Sequence, residues 1–186
     1  MLSTKIKEAT RVAHQELEKK VVLKMKAIRS EADYAEMLKN FYAYFSEVER
    51  AIAPYITAEV LPDYAERRNS AYLKADIEEL GGSLEQLPPA TAPSITNVQE
   101  ALAALYVMEG SIMGGPIIVQ MLTKHGLSRG FSFFSGYGEA TGEMWSRFVA
   151  VLNAHAQTAE HEELAVRKAN ETFERFGDVF DAVTVA

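Results

Sequence analysis

The chain reads as an all-α protein, a single-domain multi-helix bundle over residues 1–186. Three features predict this. Apolar residues recur at spacings of three and four along most of the length, the period of one helix face. The segment from about Thr96 to Lys124 is apolar nearly all round, as in a helix buried in the middle of a bundle. Neither the alternation expected of strands nor an internal repeat is evident.

The helices follow in order. Residues 4–26 carry Ile6, Ala9, Ala13, Leu17 and Val21 on one face. Ser30 and Asp33 resemble a capping box, opening a second helix with Tyr34, Met37, Leu38, Phe41, Phe45, Val48 and Ile52 as its stripe, ending near Pro54. A third spans Pro62–Leu80, with Gly81-Gly82 as its C-terminal stop. LPPATAPS (87–94) is a proline-rich connector. The long helix to Lys124 comes next, then a loop with aromatic residues from Gly126 to Gly138. Two final helices are centred on Met144–Leu152 and Leu164–Phe180.

Composition narrows the chemistry. With no cysteine, a disulfide framework, a thiolate metal ligand, a cysteine nucleophile and a CxxCH haem attachment are all excluded. The net charge of −7 argues against a nucleic-acid partner. The polar start does not read as a secretory signal, and no uncharged apolar run reaches 18 residues, so a cytoplasmic protein with no membrane span is expected. Charge is unevenly spread: residues 1–30 hold eight Lys/Arg against three Glu, a net of +5 that leaves −12 for the rest. A solvated basic face and a rim for an anionic ligand both fit that pattern.

YVMEGSIMGGPII (106–118) sets Gly110, Gly114 and Gly115 inside the long helix, each costing about 1 kcal/mol relative to alanine. Pro116 follows, which should kink or interrupt the helix. Glycines four apart admit either another helix or a flat ligand lying against bare backbone. Among the four histidines (14, 125, 155 and 161), His125 suits a helix cap, and His155 and His161 flank a polar stretch and look exposed. His14 differs. Lys7, Thr10, Arg11, Leu17 and Glu18 share or border its face. Glu18, at i+4, could accept from the second ring nitrogen of a metal-bound imidazole. Lys7 lies two turns back, roughly 10 Å along the axis. No HExxH, Glu-x-x-His, GxSxG, GxGxxG or Walker motif occurs.

IKEATRVAHQELE (6–18) resembles the first-helix motif of the haem oxygenases, and YVMEGSIMGG (106–115) resembles the distal-helix motif of their bacterial members. YLKADIEEL (72–80), FFSGYGEATGEMWSRF (133–148) and ANETFERF (169–176) also fit that family. The resemblance implies His14 as proximal iron ligand with Glu18 as its hydrogen-bond partner. It implies Lys7 and Arg11 as propionate-side cations, with Thr10 in the same haem-binding set. Gly110, Gly114 and Gly115 become the distal backbone, and Phe173 an aromatic residue of the pocket. Ser111 occupies the position where animal-type members carry an aspartate, and would hold ordered water. Trp145 and Val149 stand where many members have lysine and arginine, and Arg147 is a nearby substitute.

The activity implied is oxidative cleavage of haem, both cofactor and substrate, to biliverdin, CO and Fe²⁺ with O₂ as co-substrate. Electrons would come from a ferredoxin or a reductase, and a biliverdin-using phytochrome is a candidate recipient of the product. A haem carrier or sensor on the same fold is the alternative. A thiamin-degrading relative with a cysteine nucleophile is excluded by composition, and a haem-free interaction module would leave the glycines to packing alone.

Overall fold

The structure, a computed structural model, describes residues 1–181. Among them are seven α-helices and no strand: α1 (Leu2–Ala9), α2 (Arg11–Lys26), α3 (Glu31–Ile52), α4 (Ser70–Glu79), α5 (Val98–Lys124), α6 (Thr141–Ala154) and α7 (Ala159–Asp181). The expected first helix is therefore two. At Thr10 (φ −101°, ψ 5°) the hydroxyl donates to the Ile6 carbonyl at 2.7 Å, alongside the Thr10 N–H at 2.9 Å. Threonine bonding back to the i−4 carbonyl bends helices, and here the bend separates α1 from α2.

The other boundaries follow local chemistry. Ser30 accepts from the Asp33 N–H at 3.1 Å and starts α3, whose whole predicted stripe is buried. Asp33 does not close the box onto Ser30; its carboxylate takes the Arg29 N–H at 2.9 Å. The third predicted helix is shorter than expected. Only Tyr64–Glu66 forms a 3₁₀ turn before Asn69, which accepts from the Ala71 N–H and starts α4. It stops where Gly82 N donates to Ile77 O and Gly81 takes φ +83°, a conformation that favours glycine. Asn97 caps α5 by accepting from the Glu100 N–H at 2.8 Å.

α5 runs unbroken through its glycines and Pro116. Proline still removes one donor from the ladder, so the Ile112 carbonyl loses its helical partner without the helix ending. By length and composition α5 could cross a membrane, but half of its most apolar window is buried by the rest of the fold. α7 packs extensively against α5 and α2 and also against α1; α3 packs on α4 and α5. An aromatic cluster fills the centre: Phe41 meets Phe133, Phe134 and Phe176 edge-on, with centroids 5.2–6.5 Å apart. Such pairs add about 0.5–1.5 kcal/mol each beyond their burial. The loop before α6 is tied down by the buried Asp76 carboxylate, which accepts from Ser132 N, Ser132 Oγ and Phe133 N at 2.6–3.1 Å.

The adjacent glycines of α5 have opposite environments. A Cβ at Gly115 would stand 2.0 Å from the Phe134 carbonyl oxygen, whereas one at Gly114 would meet nothing within 4 Å. Gly115→Ala should therefore destabilise the protein by about 1–3 kcal/mol, because backbone must move to admit the methyl. Gly114→Ala should stabilise it by about 1 kcal/mol through helix propensity alone. Urea unfolding of both variants checks the pair, and equal effects would contradict it.

Candidate functional site

His14 lies one turn after the Thr10 bend, its N–H bonded to the Thr10 carbonyl at 2.8 Å. Its side chain is about half exposed, at 54%. One ring nitrogen, Nε2, lies 3.2 Å from Glu18 Oε1. The ring rests on Phe173 of α7, with centroids 5.2 Å apart and planes 26° from parallel. The imidazole is thus held on one edge and one face, and its second nitrogen faces no protein partner among the described residues. In this rotamer Glu18 takes Nε2 and leaves Nδ1 as the unpartnered nitrogen.

Lys7 and Arg11 are exposed and have no carboxylate within 4.0 Å among the described residues, whereas their neighbours Lys5, Lys19 and Lys20 pair with Glu162, Glu16 and Asp181. Thr10 differs from expectation. It is 2% exposed and its hydroxyl bonds back into the helix, so it shapes the bend and does not face a ligand. Arg147 is also already engaged, by Glu143 and by Asp63 at 4.0 Å.

On α5, Gly110 is covered by the Trp145 ring, 3.7 Å from where its Cβ would be, and Gly115 by Phe134. Gly115 thus serves close packing within the protein, contrary to the ligand contact expected of it. Gly114 is the bare position, and Met113 and Ile117 beside it are 53% and 62% exposed. Ser111 is partly buried; its hydroxyl donates to the Met108 carbonyl at 2.6 Å and accepts from Arg68 Nη2 at 2.8 Å.

Sequence reasoning missed the polar cluster beneath this helix. Arg67, fully buried, donates to Asp63 at 2.8 and 3.0 Å, to Glu109 at 2.9 Å and to the Met144 carbonyl at 2.9 Å. Tyr137 donates to Glu109 at 3.1 Å and accepts the Arg68 N–H at 3.1 Å. Burial raises the Glu109 carboxyl above the usual range, against the pull of Arg68 and Arg67. Burial opposes the charge on Arg67, but Asp63 and Glu109 outweigh it and hold the guanidinium more firmly protonated than usual. The signal was present: a glutamate inside an apolar helix needs a cation, and Asp63 and Arg67 stand at i,i+4.

Among the described residues no group of three or more His, Asp or Glu could hold a bare metal ion, so a metal at His14 must arrive inside a chelate. α2 and α5 both pack on α7 but share no extensive contact of their own. A half-exposed imidazole, two unpaired cations, the uncovered Met113 and Ile117 and the bare Gly114 suit a flat apolar chelate with an anionic edge. Haem has that chemistry. A cavity of about 330 Å³ forms a groove on the α2–α7 seam that includes Phe173, Leu17 and Lys20 but not His14. A haem at His14 would therefore use an open face.

A profile described as "Heme oxygenase" matches residues 1–182. The chain is 27% identical over 183 residues to heme oxygenase PigA of Pseudomonas aeruginosa, covering 96% of this chain and 91% of that one. A heme oxygenase of Xanthomonas campestris is 28% identical over 145 residues, 77% of this chain and 86% of the relative. Among solved structures, the NO- and CO-bound heme oxygenase of Neisseria meningitidis superposes with a TM-score of 0.82 at 20% identity, over 100% of this chain and 95% of that one. The haem complex of heme oxygenase-1 from the cyanobacterium Synechocystis gives 0.76 at 18% identity, over 97% and 90%. These two likenesses support the all-α fold.

Arg67→Met should destabilise the protein by about 3–5 kcal/mol, because the buried Glu109 and the part-buried Asp63 would lose their shared cation. Adding Glu109→Gln to it should recover part of the loss. Urea unfolding of the single and double variants measures both, and strict additivity would contradict the pairing.

Proposed function

The chain belongs to the haem oxygenase family, and from that premise we propose that it cleaves haem to biliverdin, CO and Fe²⁺ with His14 as the iron ligand. The observation that carries the reading is the half-exposed imidazole, held by Glu18 and Phe173, with one nitrogen unpartnered. The alternative of a non-catalytic haem carrier is not favoured, since the named relatives are enzymes. Residues 1–186 would act as one domain.

Haem supplies the oxygen-activating iron and is itself the macrocycle opened, with O₂ as co-substrate. The residues of this chain bind and orient it. Neutral His14 offers one nitrogen to iron while Glu18 accepts from the other, fixing the tautomer and raising the basicity of the ligand. A neutral ligand, unlike a thiolate, does not push electron density toward O–O cleavage. Lys7 and Arg11, which lack carboxylate partners, supply positive charge for the propionates. Phe173 keeps the imidazole from turning. Arg147 has its charge shared with Glu143 and is the weaker candidate for a propionate.

The distal side would be the stretch of α5 from Gly110 to Gly114, open at Gly114 and covered at Gly110 by Trp145. Gly114 leaves space that any side chain would fill, and that bare surface lets α5 lie close to the ligand. The Ser111 hydroxyl donates to Met108 and accepts from Arg68, which leaves one lone pair to accept from water. Ordered water held there would deliver protons to the distal side.

Electrons come from an external donor protein. A ferredoxin or reductase docking on the basic region of residues 1–30, a cytoplasmic setting, and delivery of biliverdin to a phytochrome complete the reading.

His14→Ala should fold normally, because alanine is the best helix former. It should bind hemin without the histidine-ligated spectrum, and added imidazole should restore that spectrum. Glu18→Ala should lower haem affinity or turnover by about tenfold, the lower end for an exposed orienting carboxylate. An unchanged spectrum and activity in His14→Ala would overturn the assignment.

A further inference from the structure

Arg67 and Arg68 are consecutive and both buried, yet their charges are treated differently. Arg67 contacts two carboxylates. Arg68, 6% exposed, has no carboxylate within 4.0 Å among the described residues. Its Nη2 donates to Ser111 Oγ at 2.8 Å and more weakly to the Met108 carbonyl at 3.3 Å. Its guanidinium lies over the Phe133 ring, 3.9 Å from the centroid. Its Nε is the one buried side-chain nitrogen or oxygen among the described residues without a protein partner. A buried cation so sparsely compensated is expensive, and an apolar residue would pack there at lower cost. Burial pushes the guanidinium down to about 10, with Glu109 opposing the fall, so it stays charged at neutral pH.

A second observation concerns the unpartnered Nε. A small, partly enclosed cavity of about 10 Å³ lies beside Arg68, with Glu49, Tyr64, Asn69 and Glu109 among its polar lining. That is the scale of one water molecule, and the lining offers the several polar partners that an internal water needs. A water there would accept from Nε and donate onward to a carboxylate. The hydroxyl of Ser111 would then stand at the outer end of a polar chain that runs through Arg68 into the interior.

We infer that Arg68 is the positioning residue of the distal face: it fixes the Ser111 oxygen and sets a permanent positive charge directly behind it. The inference rests on the reading that the Gly110–Gly114 face of α5 meets haem. A serine is too weak an acid to act as a carboxylate would. The one Ser111 proton is already given to the Met108 carbonyl, so Arg68 acts through its charge, which favours negative charge on the distal side. Glu109 and Tyr137 complete the arrangement. Tyr137 accepts the Arg68 N–H and donates to Glu109, so the strand of chain carrying Arg68 is tied to α5 by both backbone and side chain. Arg67, Asp63, Glu109 and Tyr137, with Glu49 and Tyr64 across the small cavity, are the other ionisable groups around Arg68, and Arg68 is the one bonded to Ser111.

Two measurements test it. The first needs no haem: side-chain ¹⁵N NMR of the arginine-labelled apoprotein, with Ser111→Ala as the variant. Arg68 should give guanidinium N–H resonances protected from exchange, and Ser111→Ala should shift them and speed their exchange at least tenfold. The second is the acid–alkaline transition of the ferric haem complex, followed in the visible spectrum. Arg68→Met should raise its midpoint by about one pH unit, as expected for loss of a nearby cation. Arg68→Lys, which keeps the charge, should move it less than half as far.

Unchanged arginine resonances in Ser111→Ala would overturn the inference, as would an Arg68→Met midpoint equal to that of the parent. If Arg68→Met fails to fold, the Ser111→Ala and Arg68→Lys arms still decide. If the parent binds no hemin, the reading of the site fails, while the apoprotein arm independently tests the Arg68–Ser111 contact.

Discussion

Helix α7 is the element on which the rest depends, because it packs on both α2 and α5 and so fixes where each can lie. Its buried face is built from Ala165, Ala169, Thr172, Phe173, Phe176 and Gly177. Small residues admit close approach, and Phe176 anchors the face in the aromatic cluster with Tyr44 stacked 4.8 Å away. Thr172 ties α7 to α3 through its carbonyl, which accepts from the Tyr44 hydroxyl at 2.6 Å. One turn further out, Phe173 lies under the His14 ring. The residue that packs α7 onto α2 therefore also sets the plane of the proposed iron ligand.

A second constraint follows from the glycines of α5. A helix weakened by Gly110, Gly114, Gly115 and Pro116 needs outside support along the same stretch. The Phe134 carbonyl fills the side of Gly115, Trp145 covers Gly110, and the Arg67–Glu109 pair clamps the turn before them. Support comes from every side except that of Gly114, Met113 and Ile117. The uncovered side is what a flat substrate requires, and the polar cluster opposite is what keeps α5 helical despite its composition.

Most helices were legible because their signals are local. Ser30 and Asn97 cap with their own neighbours, Gly81-Gly82 ends α4, and the α3 stripe needs only its period. The division at Thr10 was not legible, since a threonine within a helical pattern bends the chain only when its hydroxyl turns inward. Residues 63–69 were read as the start of a helix over Pro62–Leu80, whose apolar positions all lie in its later half, at Leu73, Ile77 and Leu80. The structure instead turns Arg67 and Arg68 inward, toward partners some forty residues away that no periodicity connects. At the site, His14 and Glu18 were readable from i,i+4 spacing. Which glycine is bare was not, because Gly114 and Gly115 differ only in what a distant loop places against them.

The most direct test of the account is absorbance of the hemin-reconstituted protein, followed in air after adding ascorbate with catalase present. The account predicts a Soret band that decays while a broad red biliverdin absorption grows. A Soret band that shifts on reduction and then persists would contradict it, and would make the chain a haem binder without turnover.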